Sequence, residues 1–465
     1  MISNTKKSIQ YLALLSILLL ASCGNSDAES PKINEVKSDF NAVTHIFENI
    51  SEDKDKIAIL IKDNVDIVGA PNTAGSLAML DNVPSEDAFL VKQLRSSNYS
   101  IIGKTNLSEW ANFRSFDSIS GWSSYGGQTI HALGNNFNPC GSSSGSAVVV
   151  ALGLVKASIG TETNGSISCP ASVNGIVGIK PTVGLVSRSG IIPISPTQDT
   201  AGPMAINVTE AARLLSAISG PDYTDPVTLK RPKDFSQDFI KDLNVVTLKG
   251  KKFGLLPSGN EDPEAKLLLD KIVDVIEGAG GEIIEITDTP TYPGEEELFV
   301  LLYEFKHSLE SYLKESNAGL KTLESIMDFN EENKEQTMQY FDQSIFEASL
   351  EAANEHTTYQ ESLRTVLNTS REFINSSMDS NGLTALIGLT RGPAWKIDSI
   401  DGDDGALKDY PSWGNGAYAA MAGTPHITIP FGSAYDLPIG LSIMGKAWSD
   451  HEMVQLAFTL EQLLK

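Results

Sequence analysis

Three stretches of this chain hold residues able to do chemistry. Ile61-Lys62-Asp63-Asn64 puts a lysine directly after an apolar run. Pro139-Cys140-Gly141-Ser142-Ser143-Ser144-Gly145-Ser146 and Gly160-Thr161-Glu162-Thr163-Asn164-Gly165-Ser166-Ile167 are rich in glycine and hydroxyl groups. Together they supply a hydroxyl nucleophile, a relay hydroxyl, an amine base and a row of backbone N–H groups. That set serves acyl transfer without histidine or metal. Attack on an amide needs a hydroxyl that loses its proton. It also needs preorganised donors for the oxyanion and a proton for the leaving nitrogen.

Ser166 suits the first role, since Thr163-Asn164-Gly165 before it can turn its N–H groups toward one point. Gly165 lets backbone approach a substrate with no Cβ in the way. A lysine is a base only when neutral, and burial favours the neutral form. Lys62 ends the run Ile57-Ala58-Ile59-Leu60-Ile61, so its amine can point into a closed interior. Ser142 can then relay a proton between Ser166 and Lys62. Taken singly, each piece has an ordinary explanation: Gly/Ser stretches are commonly flexible loops, and a lone lysine is commonly solvated.

As a set, these motifs resemble the amidase signature family, serine hydrolases with a Ser-cisSer-Lys triad. The resemblance spans about residues 40–221 and 390–465. Lys62-Asp63-Asn64 matches the family's lysine. Cys140 to Ser146 matches its first serine loop and implies that Ser142 is the relay serine with a cis peptide bond. Gly160 to Ser166 matches its second loop and implies Ser166 as nucleophile. The implied oxyanion hole is the backbone N–H groups of Thr163, Asn164, Gly165 and Ser166. Pro170-Ala171, residues 175–181 and 184–188, and Gln198-Asp199-Thr200 fit as well. The implied fold is α/β, a central, mostly parallel mixed sheet covered by helices on both faces. No cofactor is implied.

The sequence departs from the family pattern at several positions. Cys140 and Ser144 replace glycines, Glu162 replaces aspartate, and Asn164 replaces glycine. Ser168 stands where many members carry arginine, which argues against substrates with a free carboxylate beside the amide. This wording resembles the peptide amidase branch, although that branch carries aspartate at the position of Asn164. The implied substrates are C-terminally amidated peptides or similar acyl amides. The alternatives are a general amidase for small aliphatic or aryl amides, the amidase component of a tRNA-dependent amidotransferase, and a surface lipoprotein without catalysis.

The 465 residues carry a formal net charge of −24. Such a chain repels phosphates, so nucleic acid is excluded as a direct partner. Lys6 and Lys7 precede a short apolar run, Tyr11 to Leu20. A membrane-crossing helix needs about 20 apolar residues, so this run reads as an export signal over residues 1–22. It ends in Leu20-Ala21-Ser22-Cys23-Gly24, which resembles a bacterial lipobox and makes Cys23 the expected lipidation site. Residues 23–39 read as a polar tether to a membrane, and residues 40–465 as the amidase domain, with 222–390 its variable, substrate-side region. The expected location is the cell envelope outside the cytoplasm. Such a compartment permits a bridge between Cys140 and Cys169, but the reading taken is two buried thiols filling apolar space. No Cys/His spacing suggests a metal.

The elements that must position these motifs follow from periodicity. A strand over 56–61, a helix over 85–97 and a strand over 101–103 imply parallel pairing. A buried helix is expected over 146–154, strand pieces over 175–178 and 184–187, and a helix over 210–219. Beyond the connection 222–250, strands are expected at 252–256 and 281–286 around a helix at 263–277. Residues 295–377 read as acidic helices, mostly a solvated face that can cap the cleft. The end reads as strands over 417–443 and a helix over 452–464. Asp199 is expected to be a structural acceptor, Arg188 to pair with a carboxylate, and Ser143 to support Lys62. His131, His356 and His426 read as ordinary histidines. Trp395 and Trp413 have two readings, the cleft wall or the core.

Overall fold

The structure, a computed structural model, describes residues 33–47, 55–134, 136–241, 243–259, 261–411 and 413–465. Its strands are β1 (Val43–Ile46), β2 (Ile57–Lys62), β3 (Tyr99–Thr105), β4 (Trp122–Ser123), β5 (Gly127–Gln128), β6 (Ala157–Glu162), β7 (Val177–Lys180) and β8 (Thr200–Ala205). They continue with β9 (Lys252–Leu255), β10 (Glu282–Glu285), β11 (Ala385–Leu389), β12 (His426–Ala434) and β13 (Leu437–Met444). Eleven of them form one sheet in the order β1-β3-β2-β6-β8-β7-β12-β13-β11-β9-β10, and β4 pairs with β5 apart from it.

The α/β class, the mixed sheet and its two helical layers agree with what the resemblance implies. Parallel links form two blocks, β3-β2-β6 and β11-β9-β10. The strands between them pair antiparallel. The strand–helix–strand unit read from the N-terminal region is β2, helix Phe89–Arg95 and β3.

Side chains alternate along a strand, and the two faces of β2 go to different cores. Ile59 and Ile61 join the core that takes in helices Phe89–Arg95, Val208–Ile218, Pro263–Gly278 and Asp450–Leu463. Leu60 joins a second core with Ala147 to Val150 and Ala171, from helices Ser144–Ala151 and Ser168–Val173. Period two therefore turns Lys62 to the same side as Leu60. That is the side where the two serine loops enter their helices.

Several boundaries differ from expectation. Residues 184–187 form no strand: a turn bond from Leu185 N–H to the Thr182 carbonyl, 2.9 Å, interrupts extension, and only Val186 makes an isolated bridge. Residues 417–422, alanine-rich, are helical (Ala417–Ala422) before β12 begins. Part of the expected tether is ordered, since helix Ile33–Phe40 buries Val36 in the second core. The expected signal peptide and Cys23 lie outside the described residues. Among the described residues, no helix is long and apolar enough to cross a membrane.

The acidic region folds into helices Gly294–Glu315, Leu323–Glu332, Lys334–Thr337, Ser344–Ala352 and His356–Asn381. Their Phe305, Leu309, Leu313 and Phe346 share one core with Met79, Trp110, Phe113, Ile192 and Ile194 from the N-terminal half. Two of the acids, Glu297 and Glu304, are exceptions to the mostly solvated face expected, buried at 4% and 3% exposure.

Candidate active site

Lys62 is fully buried. Its Nζ lies 2.7 Å from Ser142 Oγ, 3.0 Å from Ser143 Oγ and 2.9 Å from Thr161 Oγ1, and it donates to the Thr161 carbonyl at 3.2 Å. Burial lowers its pKa from 10.5 to about 7, and the negative charges of Asp199 and Glu162 oppose only part of that shift. Near neutral pH the amine is therefore deprotonated in a large fraction of molecules. It contacts hydroxyl groups that can hand it a proton.

The Gly141–Ser142 peptide bond is cis, and Ser142 and Ser143 are both fully buried. The Ser142 carbonyl accepts from Ser108 N–H at 3.1 Å, which holds the turn from outside. Ser143 ties three elements together. Its hydroxyl donates to the Thr161 carbonyl at 3.0 Å, accepts from Thr161 N–H at 3.2 Å and touches Lys62. Gly160 makes room for it, since a Cβ there would sit 2.9 Å from Ser143 Oγ and 2.8 Å from Met204 Sδ.

Ser166 is 9% exposed at the end of the second loop. Its carbonyl accepts from Ser143 N–H at 3.2 Å, so the two loops are joined through backbone. No hydrogen bond joins Ser142 Oγ to Ser166 Oγ in this arrangement; the closed contact is the one between Ser142 and Lys62. The backbone N–H groups of Thr163, Asn164, Gly165 and Ser166 donate to no described residue. Four unpaired donors in a row are unusual in a folded chain. Gly165 adopts φ +83°, a left-handed conformation, with open space where a Cβ would stand.

The loop is held by groups around it. Glu162 Oε2 accepts from the N–H groups of Ile167 and Ser168 at 2.7 and 2.9 Å. Asp199 accepts from Thr163 Oγ1 at 2.5 Å and from the N–H groups of Ile194 and Ser195 at 2.8 and 2.9 Å. It is thus the structural acceptor expected from sequence. Burial raises its pKa to about 6. Asn164 Nδ2 donates to Glu297 Oε1 at 2.8 Å, and Gln198 Nε2 donates to the same oxygen at 2.9 Å. Tyr292 donates to Glu297 Oε2.

Sequence reasoning missed Thr161, Glu162, Tyr292 and Glu297. Thr161 and Glu162 stood inside the second motif. Glu297 and Glu304 lie seven residues apart, two helical turns, on the face that also buries Val300. Acids within an apolar stripe were the available signal.

Cys140 and Cys169 form a disulfide with a Cα–Cα distance of 6.1 Å, which corrects the reading of two free thiols. The cause is the contact between loops. Ser143 meets Ser166, and the cysteines three residues to either side are brought together. Arg188 pairs with Asp225 at 2.6 Å, as expected. His131 and His426 are buried and pushed down to about 4, so both are neutral; His356 is exposed. Trp395 and Trp413 are buried at 1% and 5% and belong to the core. A cavity of about 360 Å³ adjoins the second loop through Thr161, Thr163 and Asp199, and neither Ser142 nor Ser166 lines it.

Residues 19–454 match the amidase family. The chain belongs to that family. The amidase is 36% identical over 416 residues to a "probable amidase" of Arabidopsis thaliana, covering 87% of this chain and 76% of that one. It superposes on native peptide amidase from Stenotrophomonas maltophilia with a TM-score of 0.86 at 37% identity, covering 91% of this chain and 89% of the other. A peptide amidase in complex with the competitive inhibitor chymostatin gives 0.87 at 37% identity, with coverages of 98% and 93%. A glutamyl-tRNA(Gln) amidotransferase component of Methanosarcina barkeri is 29% identical over 430 residues, 87% of this chain and 84% of that one. The protein is an amide hydrolase, with the α/β fold of the peptide amidases.

Proposed function

We propose that the amidase cleaves its amide through an acyl-enzyme on Ser166, with Ser142 as relay and Lys62 as base, and that its substrates are C-terminally amidated peptides. The observation that carries this reading is a buried lysine, lowered to about 7, at 2.7 Å from the hydroxyl of a cis serine. Neutral Lys62 takes the Ser142 proton as Ser142 takes that of Ser166. The Ser166 oxygen bonds to the carbonyl carbon, and the carbonyl oxygen becomes the oxyanion among the free N–H groups of residues 163–166. The C–N bond then breaks, and the proton returns along the same path to the departing nitrogen, which leaves as ammonia or an amine. Water, deprotonated in the same way, cleaves the ester and regenerates Ser166.

The likeness to peptide amidases at 37% identity supports the substrate class. The amidotransferase relative is less similar, and a net charge of −24 opposes work on tRNA. The export signal and lipobox-like end at Cys23 support anchorage to a membrane outside the cytoplasm. The Cys140–Cys169 bond supports the same location, because disulfides persist in oxidising compartments.

The test is mass spectrometry of the full chain, held in detergent, with peptide amides, small amides and glutamine. Fastest release of ammonia from peptide amides is expected. Faster turnover of small aliphatic or aryl amides would move the protein to the general amidases. Fluorophosphonate should label wild type once and leave Ser166→Ala unlabelled. Equal labelling of both would refute the serine assignment.

A further inference from the structure

Helix Gly294–Glu315 lies more than 120 residues beyond the serine loops, yet it reaches both the second loop and the loop that braces it. Glu297 is 4% exposed and faces three neutral donors. Its Oε1 accepts from Asn164 at 2.8 Å and from Gln198 at 2.9 Å, and its Oε2 accepts from Tyr292. Gln198 Nε2 also reaches the Thr163 carbonyl at 3.3 Å. One carboxylate therefore fixes a side chain at Asn164 and the carbonyl at Thr163, two of the residues whose N–H groups are free. Glu304, two turns on, accepts from Ser195 Oγ at 2.5 Å and Thr197 Oγ1 at 2.8 Å. Those residues belong to the loop whose N–H groups hold Asp199.

A buried carboxylate surrounded by neutral donors is costly unless each bond is made. The arrangement would serve packing no better than leucine. It does fix the loop in one orientation, and a donor array works only when preorganised. We infer that Glu297 is a positioning residue for the oxyanion loop, acting through Asn164 and Gln198, with Tyr292 completing its shell. Tyr292 is 46% exposed and stands edge-on to Tyr418, 6.1 Å between centroids. The variable helical region thus sets the turnover rate of the site. The inference rests on the proposed role of residues 163–166.

The experiment compares Glu297→Ala, Glu297→Gln, Asn164→Ala and the double variant Asn164→Ala/Glu297→Ala in the full chain on one amide substrate. Glutamine keeps an oxygen toward Asn164 and Gln198 and turns an N–H toward the Tyr292 oxygen. Glu297→Ala should lose roughly 10- to 100-fold in kcat with KM little changed, as expected for a displaced donor array. Glu297→Gln should keep kcat within a few-fold of wild type. The double variant should lose no more than the worse single one. A rise in KM with kcat unchanged, equal losses in Ala and Gln, or additive losses in the double variant would overturn the inference. If Glu297→Ala does not fold, Asn164→Ala, a half-buried surface-side change, must show the same kcat loss, and wild-type kcat there overturns the inference. Glu304→Ala is the control for simple bracing; its loss should add to that of Asn164→Ala. Fluorophosphonate labelling keeps the two ideas apart. Absence of wild-type labelling at Ser166 refutes the acyl-enzyme reading itself, whereas slower labelling in Glu297→Ala with wild-type stoichiometry supports the positioning role alone.

Discussion

The two halves of this site are held by different kinds of structure. On the base side, Lys62, Ser142, Ser143 and Thr161 sit between β2, β6 and the helix Ser144–Ala151, with no exposure at Lys62 or either serine. Their partners lie within about one hundred residues, and the space is closed by small side chains and Gly160. On the side proposed to hold the oxyanion, the N–H groups of residues 163–166 donate to no described residue, Asn164 and Gly165 are partly exposed, and the braces come from Gln198, Asp199 and Glu297. The sealed half suits the base role proposed for Lys62, since a lysine becomes a base only away from water. The partly exposed half suits the proposed oxyanion role, since a substrate has to enter it. A sealed region can be built from sheet and core, whereas an open one needs polar clamps from elsewhere in the chain.

That contrast is sharpest at Lys62. Lys62→Met keeps the burial and removes the base, so kcat should fall roughly 1,000-fold or more. In wild type, kcat/KM should decline below about pH 7 as Lys62 takes up a proton, and that acid limb should be absent from the residual activity of the variant. Stability follows the same group. Between pH 10.5 and 7 the unfolded chain holds a proton that the folded site has lost, so stability falls as pH drops through this window. Denaturant titrations should show that slope in wild type and a weaker one in Lys62→Met. A flat pH–rate profile into the acid range would break the base assignment.

The disulfide stitches the two halves together. Reducing it, or making Cys140→Ser/Cys169→Ser, releases a loop with a separation of 29 residues. That should cost about 3–4 kcal/mol of unfolding free energy by denaturant titration. Activity should fall with it at raised temperature before it falls at room temperature. Next in size is Ser143→Ala, which removes one partner of Lys62 and leaves the Thr161 groups short of a bond; roughly tenfold lower kcat is expected.

The smallest effect belongs to Asp199→Asn. The Asp199 charge raises the Lys62 pKa against the pull of burial, so its removal should shift the acid limb to lower pH while Thr163 keeps an acceptor. A limb that moves to higher pH would show that Asp199 couples to the site through shape rather than charge.

Much of the base side was legible in the amino acids. The apolar run ending in Lys62 offered an amine that could be buried, but the Gly/Ser loops read singly as ordinary loops, and only the resemblance to the amidase family implied which hydroxyls matter; alternation along β2 then fixes which way Lys62 points. The oxyanion loop was legible as far as its backbone, since Gly165 and Ser166 stand within one motif. Its braces were not. Glu297 sits in an acidic helix whose composition describes solvated surface, and only its burial against Asn164 of the second loop, Gln198 and Tyr292 shows otherwise.

The sequence by itself determined which reactive residue types are on offer and the strand and loops that carry them, because these are local matters of period, composition and spacing, and the family resemblance implied the role of each. Tertiary structure decided three further things. Cys140 meets Cys169, Lys62 loses nearly all contact with water, and a helix far along the chain clamps Asn164. Each depends on which distant surfaces come to touch, and burial and pairing are properties of that contact, which no single stretch of chain contains.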